Sequence, residues 1–279
     1  MIHRKGGLYV YDARSDLAAA AMLAERQREF GIAIDMLDGD ALRRLEPALS
    51  DAFIGASFAP DAAHIDDPAD LTRALFDKAL ERSARFEQRK VALVNPGERP
   101  ALLGPGGWQL SVDAAVLSAG AWSKPLAAAL GDAVPLDTER GYNLSFPGLN
   151  GLLSRPVSFE GHGFVATPLA TGLRIGGAVE FAGLDAPPNH ARTRALHARA
   201  TRFLKDVPAY EAGVEWMGFR PSLPDSLPVI GPSRRCPRVI HAFGHGHYGM
   251  TQAALTARMV ADLLAGRTPP PALSPFSPP

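Results

Sequence analysis

The chain has 279 residues, enough for a sizeable core and for two domains. Its 29 basic and 29 acidic side chains cancel, which argues against a general nucleic-acid binder or a polybasic membrane protein. A single cysteine, Cys236, excludes an internal disulfide and a cysteine-rich metal site, and fits a reducing cytoplasm. No apolar run approaches the roughly 18 residues of a membrane span, and no apolar region of a secretory signal follows the charged residues 1–7.

In chain order, residues 7–11 (GLYVY) are a short β-prone run. Ser15 is placed to cap a helix whose apolar positions Leu17, Ala20, Ala21, Leu23 and Ala24 recur at helical spacing up to a stop near Gly31. A short helix follows over 40–45, then a strand over 53–58. Asp67 and Pro68 open the next helix as cap and first-turn proline, with Leu71, Leu75, Ala79 and Leu80 as its apolar stripe. Residues 86–94 read as a strand, 108–112 with 114–117 as a hairpin, and 122–130 as a helix behind a small-residue turn.

The middle of the chain changes character. Runs at 142–146, 157–159, 164–168 and 173–179, separated by Gly, Pro and Asn, fit an antiparallel sheet. A helix over 191–204 would place Leu196, Ala200 and Phe203 on one face. Strands at 214–220, 227–230 and 239–243 precede a terminal helix over 250–266, and residues 269–279 read as a loose tail. Helices and strands alternate at both ends while the middle is mostly strand. The fold class is therefore mixed α/β (α+β), an α/β portion interrupted by an antiparallel-sheet domain.

Four stretches carry chemistry. The turn 117–123 (LSAGAWS) follows a strand with residues small enough for a ligand to touch backbone. Arg220 precedes Pro221 in an extended segment, where its guanidinium can hold a carboxylate through two parallel hydrogen bonds. A surface salt bridge is the blander reading. The run GHGHYG at 244–249 satisfies GxGxxG between a strand and a helix, yet no second strand with an acidic residue follows, so it is not half of a dinucleotide fold. His245 and His247 have no Cys, Asp or Glu at metal-ligand spacing, and no metal site is expected. His64 sits in a turn before the Asp67 cap, facing either a pocket or simply that turn.

The order of these pieces is similar to the D-amino-acid oxidase-like (DAO) family of FAD-dependent oxidoreductases, and most to its bacterial D-amino acid dehydrogenase branch. The matching stretches are KGGLYVY at 5–11, AHIDDP at 63–68, AVLSAGAWS at 115–123, ERGYNLSF at 139–146, FRP at 219–221 through PVIG at 228–231, and GHGHYGMT at 244–251. The resemblance implies an incomplete FAD-binding Rossmann-like domain interleaved with the antiparallel substrate domain. Its segments would be 1–65 (substrate), 66–135 (FAD), 136–217 (substrate), 218–268 (FAD) and the tail 269–279.

It implies FAD as cofactor, approached by Val91 near the adenine, by Ala119, Gly120 and Trp122 along its length, and by Gly244, His245, Gly246, His247, Tyr248, Gly249, Met250 and Thr251 at the flavin ring and ribityl chain. It implies Arg220 as the substrate's carboxylate ligand, with Tyr142 and His64 as further substrate-pocket residues. No side chain need act as a base: the Cα–H of a D-amino acid passes as hydride to the flavin, and the imino acid hydrolyses to a keto acid and ammonia. A sarcosine- or glycine-oxidase-like activity, or a cofactor-free interaction subunit, are the alternatives, and the electron acceptor stays open. A cytoplasmic protein is expected, with peripheral attachment at the inner membrane left open.

The family's N-terminal βαβ unit with its own GxGxxG has no counterpart here, so a truncated homologue lacking about 100 residues is expected, or one completed by another chain. Residues 116–119 would then form an open edge with apolar surface.

Overall fold

A computed structural model describes residues 1–95, 99–269 and 274–278. Its elements in chain order are β1 (Ile2–His3), β2 (Gly7–Tyr11), α1 (Arg14–Glu29), β3 (Asp35–Asp38), α2 (Gly39–Leu45), β4 (Gly55–Ala59), β5 (His64–Ile65) and α3 (Pro68–Glu81). Next come β6 (Leu93–Asn95), β7 (Ala101–Leu103), β8 (Gln109–Ser111), β9 (Ala115–Leu117), α4 (Ser123–Ala129) and β10 (Asp137–Pro147). The chain then forms β11 (Val157–Phe159), β12 (Phe164–Leu169), β13 (Gly172–Glu180), α5 (Ala191–Phe203), β14 (Val214–Ser222), β15 (Val229–Pro232), β16 (Val239–Phe243) and α6 (Gly249–Leu264). Among the described residues no helix is long and apolar enough to cross a membrane.

Two compact units result: Met1–Arg85 with Gly141–Val179 and Pro188–Met217, and Phe86–Arg140 with Glu180–Pro187 and Gly218–Pro279. The boundary expected at 65/66 thus falls after Arg85, so α3 goes with the first unit. Residues 136–140 and 180–187, expected in the middle segment, go with the second. The chain changes unit inside the continuous strands β10 and β14, at Gly141 and Gly218, with no loop at the boundary.

The first unit is built on an eight-stranded sheet in the order β14-β10-β13-β12-β11-β2-β4-β3. Alternation along β2 turns Leu8 and Val10 inward. They join Phe146, Phe159, Phe164 and Phe203 in one core, in which Phe159 and Phe164 stack at 4.1 Å. α5 contributes Leu196, Ala200 and Phe203 at i, i+4 and i+7, the face that periodicity predicts. Inside this unit the buried carboxylate of Glu46 accepts from the Ser154 N–H at 3.0 Å and pairs with Arg155 at 2.8 Å. Its charge is therefore compensated where it is buried.

Helix starts follow their caps. Asp38 accepts the Ala41 N–H of α2, and Asp67 accepts the Ala69 N–H of α3, each at 2.7 Å. Ser15 does not cap α1: that helix begins at Arg14 after an uncapped Ala13, and the Ser15 hydroxyl turns to Asp16. The stripe predicted for α3 is present in sequence but buries no residue, and Leu75 and Leu80 are exposed. Asp67→Ala is expected to cost about 1 kcal/mol, read as a lower midpoint in urea at unchanged slope.

In the second unit the order is β15-β16-β9, with β15 antiparallel and β9 parallel to β16. α6 packs Met259 and Val260 on Ile230 and Ile240, while Leu255 on the same helix is exposed. β9 closes the order, so its outer backbone side is an edge, and Val116 there is 42% exposed. The hairpin expected between 108–112 and 114–117 does not form. β8 pairs instead with β7, and β7 with β6. The turn between β7 and β8 lies at residues 104–107, where Gly106 and Gly107 take the left-handed backbone with φ of 70° and 75°. The strand expected over 86–94 shrinks to β6, and its charged start at Glu87, Arg89 and Lys90 is exposed coil. Of the expected tail, residues 270–273 and 279 lie outside the described residues, but the part at Ser274–Phe276 is not loose: it forms a 3-10 turn that meets β15, and Phe276 packs on the Ile230 cluster.

Candidate functional site

The second unit holds the GHGHYG turn. β16 ends at Gly244, where φ is +89° and a Cβ would collide with Cδ1 of Leu223. Gly246, also left-handed at +53°, opens a 3-10 turn to Tyr248 that feeds α6 at Gly249. Among the described residues no side chain caps α6, whose positive end lies beside Gly249, Met250 and Thr251. Gly244→Ala is expected to cost about 1–2 kcal/mol from the left-handed backbone alone, because the Leu223 tip can rotate aside. A denaturation midpoint equal to wild type would show that the turn re-forms without strain.

The side chains of this turn are tied down locally. His245 Nε2 meets Thr256 Oγ1 at 2.9 Å, and burial pushes its pKa below the ordinary imidazole value, keeping the ring neutral near pH 7. His247 Nε2 lies 2.6 Å from Glu139 Oε2. Tyr248 and Met250 are exposed.

After β9, Ala119 is exposed and Gly120 takes φ of +57° with open space where a Cβ would stand. Trp122 is exposed and meets Phe219 edge-on at 5.3 Å. Val91 and Ala119 share the wall of one cavity of about 650 Å³, together with Val94, Leu102, Val116 and Leu126.

Arg220, near the end of β14, is half-buried, and its Nη1 is buried with no hydrogen-bond partner among the described residues. Burial pulls its pKa below the ordinary guanidinium value, and the Glu139 carboxylate opposes that pull. Ser222 lies two positions further along the strand, on the same face. Its Oγ is likewise buried without a partner, 3.5 Å from where a Cβ of Gly246 would stand. Glu139 and Ser222 escaped the sequence reading. The former lay in the ERGY stretch shared with Tyr142 and the latter in the stretch that runs on from Arg220, but neither was assigned a role.

Tyr142 and His64 belong to the first unit. Tyr142 is 1% exposed, and its hydroxyl accepts the Asn189 N–H at 3.0 Å under the guanidinium of Arg192. The structure thus gives it a packed position. His64 lies on β5 outside the eight-stranded sheet, stacked on His3 at 5.2 Å in the wall of a separate cavity with Lys5 and Asp66. Burial, then His3 and Lys5, push its pKa below the ordinary value.

The family model for FAD dependent oxidoreductases (DAO) matches residues 1–263. The chain belongs to this family. A D-amino-acid oxidase of Bradyrhizobium diazoefficiens is 34% identical over 283 residues, covering 100% of this chain and 67% of that protein. A D-amino acid dehydrogenase of the same organism is 29% identical over 252 residues, covering 87% of this chain and 59% of that protein. The chain therefore spans about three-fifths to two-thirds of the length of these curated relatives. The fold superposes on a glycine oxidase from Geobacillus kaustophilus with TM-score 0.89 at 23% identity, covering 100% of this chain and 75% of that one.

FAD is the cofactor of this family, and the residues present fit its flavin side. Gly246 and Gly120, both left-handed, leave room where a Cβ would stand, no side chain among the described residues caps the start of α6, and the open turn at Gly120 adjoins the cavity that Val91 lines.

Proposed function

We propose that this chain carries the substrate and flavin-ring side of an FAD-dependent oxidoreductase that deaminates a D-amino acid. The observation that supports it most is Arg220: a half-buried guanidinium with an unpartnered Nη1, in the same unit as the glycine turn that opens α6. Burying such a group without a carboxylate is costly unless a ligand supplies one.

In this reading Arg220 holds the α-carboxylate through two parallel N–H···O bonds and so fixes the direction of Cα–H. Bound FAD supplies a two-electron acceptor for the hydride on Cα. The positive end of α6 would favour negative charge at this turn. The amino acid leaves as its imino acid, which water hydrolyses to keto acid and ammonia. The buried Cys236 suits a reducing cytoplasm.

A visible spectrum of the purified chain tests the cofactor half of this proposal. Flavin absorption near one equivalent, or its appearance on adding FAD, is the expected result. A colourless protein that FAD does not reconstitute would defeat it.

A further inference from the structure

Two opposite charges stand close in the second unit without closing on each other. Glu139 on β10 and Arg220 on β14 occupy neighbouring strands of the sheet order, and the carboxylate's charge is felt at the guanidinium. A structural Arg–Glu pair would close as a fork of parallel hydrogen bonds. Here Glu139 bonds His247 at 2.6 Å, and Arg220 Nη1 stays buried and unpartnered. An ionised carboxylate offers about four lone-pair sites, and His247 takes one direction of them. The side chain of Glu139 keeps 22% of its surface open. A third polar atom, Ser222 Oγ, waits unpartnered on the Arg220 face of β14.

A separated positive and negative group is complementary to a zwitterion. We propose that Glu139 receives the α-ammonium of a substrate whose α-carboxylate lies on Arg220, with Ser222 donating to the second carboxylate oxygen, so that the site selects α-amino acids over carboxylates that lack an amine. This rests on the substrate reading of Arg220 above. A carboxylate without an ammonium would leave Glu139 unmatched, and its own charge would face Glu139 with nothing between. Discrimination of this kind comes from an unpaired charge left behind in the wrong complex. The competing role for Glu139 is mechanical, holding His247 and with it the turn.

The test compares D-alanine with D-lactate, which differ only in ammonium against hydroxyl. Each is titrated into the FAD-supplemented full chain by calorimetry and by perturbation of flavin absorbance. Wild type is expected to prefer D-alanine. Glu139→Gln, which keeps a side-chain partner for His247, should weaken D-alanine about tenfold or more and leave D-lactate unchanged or tighter. Ser222→Ala should weaken both acids by a similar, smaller factor. His247→Gln should shift both affinities together. An alanine-to-lactate ratio unchanged in Glu139→Gln, or lost equally in His247→Gln, would overturn the assignment and leave Glu139 the mechanical role. If Arg220→Lys weakens neither acid, the substrate reading itself fails, and that result is recognisable because D-lactate does not respond.

Discussion

Arg220→Lys is expected to weaken amino-acid binding about 30- to 150-fold, or about 2–3 kcal/mol, while FAD affinity stays within about twofold. Lysine keeps the charge but not the planar fork, so one of two parallel hydrogen bonds to the carboxylate is lost and the other is no longer aimed. The local surroundings amplify the loss. Arg220 is desolvated enough that burial pulls its pKa down, and a hydrogen bond in such a place has little competition from water. The shorter reach of lysine also leaves the hydroxyl of Ser222 with half a ligand to meet. Flavin affinity should hold because the glycine turn and the start of α6 rest on Leu223, Thr256 and the Ile230 cluster, none of which needs the guanidinium. The measurement is a pair of titrations, FAD into the apoprotein and D-alanine into the reconstituted protein. Equal losses in both would mean that Arg220 supports the cofactor. No loss in either would remove it from the site.

Much of the fold was legible because it is locally encoded. β11 and β16 carry the bounds that alternation and flanking turn residues predict, and α5 shows its apolar face at the predicted positions. What local pattern lacks is the identity of a distant partner. β9 pairs in parallel with a strand more than 100 residues on, so the nearer β8 looked like its mate. Stripe residues of α3 read as core because amphipathicity says which face is apolar, not whether anything covers it. At the site, motif residues stood out by their local pattern, Arg220 by the following Pro221 and Gly244 by its spacing from Gly246 and Gly249. Glu139 and Ser222 are ordinary polar residues on strands, and only their unpaired or shared contacts mark them. Glu46 is the same case in the first unit: nothing in its sequence announces a buried, fully bonded carboxylate.

Asp132→Ala is expected to cost about 3–5 kcal/mol and to lower the melting temperature by about 10 °C. The residue lies between α4 and β10, buried, and its Oδ2 accepts from His241 Nε2 at 2.8 Å. His241 is buried on β16, and the Arg234 N–H reaches the other carboxylate oxygen at 3.3 Å. One carboxylate thus ties the loop after α4 to the central strand of the three-stranded sheet. Alanine would strand the imidazole N–H in a place water does not reach, the costly half of a broken hydrogen bond. Asp132→Asn keeps the shape and one acceptor, and should cost about 1–2 kcal/mol. The pH dependence has a definite sign. Burial pushes the Asp132 carboxyl up, but the hydrogen bonds from His241 and the Arg234 N–H outweigh it and hold its pKa below the usual carboxylate value. Its contribution is therefore complete above the unfolded value of about 4 and is lost as pH falls through the lower folded value. The difference between wild type and Asp132→Ala should be largest at pH 7 and narrow in acid by the part that the lowered pKa contributes. A difference that persists undiminished below about pH 2 would place the effect in packing rather than in the charge.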